Sequence, residues 1–164
     1  MNTGQTMLTL AALALLSTIT VNMTRSFFTS GQMILRSKCG LAAVSVATSF
    51  IEEASGKYFD AETNDTVAVT TSMLTPANSL GPSSSEKYPN FNDFDDYNNY
   101  SAKLFFQLPD TFYVSCKVMY IDPATPNVAS SVQTWHKKLL VKVTSPTLKD
   151  TIKSEYIYSY WYFR

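Results

Sequence analysis

The residues best equipped for chemistry in this 164-residue chain lie in one short run, Phe91-Asn92-Asp93-Phe94-Asp95-Asp96-Tyr97-Asn98-Asn99-Tyr100. Asp93, Asp95, Asp96 and Asn98 offer hard oxygen atoms of the kind that bind calcium. The spacing departs from an EF-hand loop. Counting from Asp93, Tyr97 stands at a ligand position, and Leu104 stands where the bidentate Glu belongs. Calcium on these four residues is therefore the weaker reading. The stronger is a network of Asx turns, in which short acidic and amide side chains bond nearby backbone N–H groups. Phe91, Phe94, Tyr97 and Tyr100 then pin the loop to the body of the protein.

Little else carries chemistry. His136 is the single histidine, which excludes a multi-His metal centre and weakens any Ser-His triad. It is expected at the start of a strand, on the surface beside Lys137. No glycine-rich phosphate loop and no Gly-x-Ser-x-Gly elbow is present. Neither an enzyme nor a cofactor is expected. The formal net charge is zero, with no Lys/Arg run to attract nucleic acid. Cys39 and Cys116 are too far apart for a CxxC site. They are either buried free thiols or, outside the cytoplasm, a disulfide.

A sheet and a helix must position these residues. Phe112, Val114, Cys116, Val118 and Tyr120 alternate along one strand candidate, and Leu139, Val141 and Val143 along a second. Ile152 to Phe163 forms a third, dense in aromatics. Tyr156, Tyr158, Tyr160 and Tyr162 share one face there, either packing across neighbouring strands or meeting another subunit. The segment 122–127, with its two prolines, reads as a break. No helical pattern separates the strands, so the sheet is antiparallel.

The apolar face of that sheet needs cover. Leu35, Cys39, Ala43, Val46, Phe50, Ala54 and Tyr58 recur at steps of three or four, an apolar stripe on a helix. That stripe supplies the cover in a two-layer α+β fold of three to four strands, and it puts Cys39 on the side that Cys116 faces. Between the two layers, residues 61–101 read as a loop region, with a short edge strand over Val67-Ala68-Val69-Thr70-Thr71.

The same helix extends back to about Gln5. No charged side chain precedes Arg25, and roughly twenty apolar residues suffice to cross a bilayer. The stretch Met7, Leu8, Leu10, Ala11, Ala12, Leu13, Ala14, Leu15, Leu16, Ile19 and Val21 is apolar on every side. Ser17, Thr18, Thr20, Asn22, Thr24, Ser26, Thr29, Ser30 and Gly31 then form a zone of poor helix formers. It either bends and unwinds, or stays helical with hydroxyls bonded back to the preceding turn. An ordinary secretory signal is not expected, because the start lacks Lys and Arg and no small-x-small site follows.

Gly4-Gln5-Thr6-Met7-Leu8-Thr9-Leu10 resembles the start of type IV pilins and of their minor-pilin and pseudopilin relatives. Gly4, Thr6, Met7, Leu8 and Leu10 fit that pattern. Gln5 stands where Phe is usual, and Thr9 where Glu is usual. The segments Ile51-Glu52-Glu53 to Asp60 and Asp95-Asp96-Tyr97-Asn98-Asn99-Tyr100 resemble further stretches of such proteins. In the second, Asn99 replaces a Gly, a mild change because either residue can adopt a left-handed turn.

The resemblance implies a possible leader at residues 1–4, cut between Gly4 and Gln5. It implies a stem helix over 5–30, and a head over 31–164 with an amphipathic helix half at 31–58 and a sheet at 112–163. It implies a structural subunit of a helical filament whose partners are copies of itself, the lipid bilayer before assembly, and an assembly machinery. The location implied is the bacterial cell envelope, first the inner membrane and then an extracellular filament serving adhesion, motility, secretion or uptake. A Glu at position 9 would pair with a neighbour's N-terminus, and Thr9 cannot. A single-pass anchored binding module that never polymerises, or a minor pilin of a secretion or uptake machine, is the alternative.

Overall fold

The computed structural model describes residues 2–64, 67–106 and 110–160. The chain divides into two units, Met1–Lys38 and Cys39–Arg164. Helix α1, Thr3–Ser55, contributes to both.

In the first unit the helix is unbroken through the zone rich in Ser and Thr. Hydroxyls there bond back along the helix: Thr18 to the Leu15 carbonyl (2.8 Å), Thr20 to Leu16 (2.6 Å), Thr24 to Thr20 (2.9 Å) and Thr29 to Arg25 (2.9 Å). Back-bonding satisfies each hydroxyl without cutting the ladder, so of the two alternatives the continuous helix is the one that forms.

The second unit is α+β, the last four turns of α1 packed on an antiparallel sheet of five strands. These are β1 (Ser101–Phe105), β2 (Thr111–Asp122), β3 (Thr125–Ala129), β4 (His136–Thr144) and β5 (Ile152–Ser159). Their order is β1-β2-β4-β5, and β3 pairs with β2. Cys39, Ala43, Val46, Ala47, Phe50 and Ala54 are buried on the helix. Phe112, Val114, Cys116, Val118 and Tyr120 of β2 and Leu139, Val141 and Val143 of β4 are buried on the sheet. Three fully buried alanines on one stripe let the helix approach closely, and Phe50 fills the wider space beside Tyr88 and Tyr100.

Several expectations need correction. The helix stops at Ser55, so Tyr58 is not on the stripe; it is exposed, and its backbone bonds Asn92 and Phe94 in the acidic loop. Segment 67–71 is not a strand. The Ala68 N–H is taken by the Tyr160 hydroxyl (3.1 Å), and residues 71–73 turn into a short 3-10 helix. Segment 122–127 is not a simple break: Pro123 and Ala124 form the turn of a hairpin, and Pro126 lies in β3. Proline is tolerated there because an edge strand has unused N–H positions. β1 arises between the expected loop region, 61–101, and the expected sheet, 112–163. Of the last aromatic run, Trp161, Tyr162 and Phe163 lie outside the described residues.

Candidate functional site

Two features have functional content, and each belongs to one unit. The first is the surface of α1 in Met1–Lys38. Met7, Leu8, Leu10, Leu13, Leu15, Leu16, Ile19 and Val21 are all exposed, Leu8 at 74%. Ala11, Ala12 and Ala14 between them are exposed as well. α1 is the one helix among the described residues long and apolar enough to cross a membrane. Such a surface loses free energy in water in proportion to its apolar area, at about 25 cal/mol per Å². Lipid or other apolar helices would relieve that cost. Gly4 and Gln5 lie in the first turn, with Gln5 N–H bonded to the Asn2 carbonyl (2.9 Å). Thr9 donates to the Thr6 carbonyl (2.9 Å), a bond within its own helix.

The second feature is the acidic loop and the charge it buries. Asp93 Oδ1 accepts from the N–H groups of Asp95 (2.9 Å) and Asp96 (3.2 Å). Asp96 Oδ2 accepts from the N–H groups of Asn92 (2.9 Å) and Asp93 (3.3 Å). These are the expected Asx turns. Asn99 takes φ +59°, the left-handed conformation its place in the turn requires. Asn98 continues the edge of the sheet, its Oδ1 accepting from Val118 N–H (3.0 Å) and its Nδ2 donating to the Leu80 carbonyl (2.9 Å). Phe91 meets Tyr97 and Tyr100 edge-on, and Phe94 meets Tyr158 likewise. The four aromatics therefore do anchor the loop.

Asp95 points elsewhere. Its Oδ1 lies 2.6 Å from Lys137 Nζ, which also lies 2.5 Å from Asp60 Oδ1 and 2.9 Å from the Phe59 carbonyl oxygen. The three side chains are buried, Lys137 and Asp60 completely. The ammonium sits over the rings of Phe59 and Tyr120 at 4.7 and 5.2 Å. Asp60 Oδ2 accepts in addition from Thr75 N–H (2.9 Å), Thr75 Oγ1 (3.0 Å) and Glu62 N–H (3.3 Å). The Tyr120 hydroxyl lies 3.1 Å from Asp60 Oδ1 and 2.8 Å from the Thr75 carbonyl oxygen.

The electrostatics separate the acids. Burial pushes the Asp60 carboxyl up, but the Lys137 charge and the bonds from Thr75 outweigh it and hold Asp60 below the usual carboxylate range. Burial, with Asp95 and Asp96 beside it, pushes the Asp93 carboxyl up to about 9. Burial also raises Asp96, against the pull of the two N–H groups it accepts from.

The candidate calcium ligands are thus spent within the protein: Asp93 and Asp96 on backbone N–H groups, Asp95 on Lys137, and Asn98 on β2 and Leu80. Among the described residues no group of three or more His, Cys, Asp or Glu side chains is arranged to hold a metal ion. Cys39 and Cys116 are both free and buried. The structure shows no bond between them. His136 is half-buried and within 2.8 Å of Ser159 Oγ rather than free on the surface. Tyr156, Tyr158 and Tyr160 pack against Phe59 and Phe94, on the inner face of the sheet.

Lys137 is the functional group that sequence reading missed. A signal existed, because Lys137 is in phase with Leu139, Val141 and Val143 on the apolar side of β4. A charged residue in that phase requires a buried counter-charge.

One long apolar N-terminal helix on an antiparallel sheet is a type IV pilin-like architecture. No protein-family model, curated protein or solved structure matches the chain.

Proposed function

We propose that this protein is a structural subunit of a helical surface filament of the type IV pilus-like class, assembled through the apolar half of α1. The observation that carries this reading is the all-round exposure of apolar side chains from Met7 to Val21. Lipid covers them before assembly, and the same half-helices of other copies cover them afterwards. Ala11, Ala12, Ala14 and Ser17 are small enough for close helix approach. A head-to-tail contact that does not close gives a filament rather than a ring.

Thr9 favours a second reading. With its hydroxyl bonded inside its own helix, position 9 offers a neighbour's N-terminus no charge. That suits an anchored binding module or a minor subunit that does not polymerise through this pair. The test is the substitution Leu13→Lys in cells making the chain. Filament assembly through α1 predicts loss of the chain from the sheared surface fraction while Lys103→Ala, in the sheet, leaves it there. Equal recovery of Leu13→Lys and wild type contradicts the proposal.

A further inference from the structure

We propose that the buried cluster modifies itself covalently, Lys137 Nζ condensing with the carboxyl carbon of Asp95 to form an internal amide, with Asp60 as proton acceptor and Asp93 as proton donor. This inference does not depend on the filament reading.

The geometry brings amine and acid together without water. Lys137 Nζ is 2.6 Å from Asp95 Oδ1, and the side chains are 0% and 2% exposed. The walls are the rings of Phe59 and Tyr120, which hold Nζ in place. Two groups fixed in contact react as if at very high concentration, with effective molarities reaching about 10⁵ M or more. Amide formation removes one ammonium and one carboxylate from a site without water, and the charge that remains, on Asp60, keeps its bonds from Thr75 and Glu62.

The two flanking acids differ in the sense the reaction needs. Asp60 takes bonds from Thr75 N–H, Thr75 Oγ1 and Glu62 N–H, which keep it anionic and a poor electrophile, in direct contact with the ammonium. Asp93 lies against Asp95, and burial beside two other acids pushes its carboxyl up to about 9, in the sense that a proton donor needs. Asp95 is therefore the acid that is activated, and Asp60 the one that deprotonates the amine.

The step balances. Asp60 takes one proton from the ammonium. The freed Nζ lone pair adds to Cγ of Asp95 while Asp93 protonates a carboxyl oxygen. Asp60 then returns its proton to the leaving oxygen, the Cγ–O bond breaks, and the second Nζ proton passes to Asp93. The ammonium gives up two protons and the carboxylate one oxygen, which leave as one water. No electron is transferred, and Asp60 and Asp93 end as they began. The bond joins residues 42 apart in sequence, fixing the acidic loop to β4.

The test is peptide mass spectrometry on the full chain, purified folded in detergent, then unfolded and proteolysed. The expected product is one branched species joining the Asp95 peptide to the Lys137 peptide, lighter than their sum by one water. Asp93→Asn keeps an Oδ1 for the N–H groups of Asp95 and Asp96, so it folds, which its thermal transition verifies. It is expected to form the link at least about a hundredfold more slowly, the scale of general acid catalysis. A folded wild-type chain yielding only the two separate, full-mass peptides overturns the proposal, as does a link at Asp60. Linkage in Asp93→Asn as fast as in wild type overturns the role of Asp93.

Discussion

Lys137 Nζ sits 2.5 Å from Asp60 Oδ1, with neither side chain exposed to water. The pair connects the chain just beyond α1 to the first turn of β4. Because Asp95 is held by the same ammonium, it connects the acidic loop as well. Three segments distant in sequence therefore depend on one nitrogen.

In the unlinked protein, removing that nitrogen while keeping its volume leaves two buried carboxylates without a cation. Lys137→Met is expected to destabilise the protein by about 3–5 kcal/mol, the usual cost of breaking a buried pair from one side. Adding Asp95→Asn should recover part of the loss, since one uncompensated charge is then gone. Urea denaturation of the two variants and wild type, followed by tryptophan fluorescence, measures both.

Asp110 gives the fold an acid-sensitive tie between the start of β2 and the turn after β4. Its Oδ1 accepts from Thr111 N–H (2.8 Å), and its Oδ2 from Thr147 N–H (2.9 Å) and the Ser145 hydroxyl. Burial raises its pKa, and these bonds together more than reverse it, bringing the carboxyl down to about 2. A carboxyl whose folded pKa is depressed adds stability above its unfolded value, about 3.9, and loses it as pH falls through the folded value. Asp110→Ala should therefore melt below wild type at pH 7, and the gap should close between about pH 4 and pH 2. A gap of constant size across that window would mean the contribution is not electrostatic.

The two cysteines offer a separate check. Burial pushes the Cys116 thiol up to about 12, with the Glu53 charge adding to it, and burial raises Cys39 likewise. The thiolate is the reactive form, so neither residue should react with iodoacetamide in the folded protein at pH 8. Both should react at once in denaturant without a reductant. Modification of neither under those conditions would reveal a bond between them.

The parts of this fold that were legible in the sequence are those set by local periodicity. Cys39, Ala43, Val46, Phe50 and Ala54 announced the buried helix face, and Phe112 to Tyr120 announced the buried strand face. The Asx turns of Asp93 and Asp96 were legible too, because their bonds span only two to four residues. The Lys137 cluster was not, since its partners lie 77 and 42 residues away and nothing local names them. β1 and β3 were missed for a related reason. Each is a five-residue strand at the edge of β2, with little buried apolar surface to set an alternating pattern. Their pairing is imposed by β2 rather than encoded in themselves.

The most direct test of the filament reading is to shear the surface of cells that make this chain, collect the filaments, and identify their subunits by mass spectrometry and electron microscopy. The account predicts that the chain is present as a repeating subunit, with the apolar residues from Met7 to Val21 packed together in the filament core. Recovery of the chain in the membrane fraction alone, as single copies, would contradict it and leave the anchored, non-polymerising module in its place.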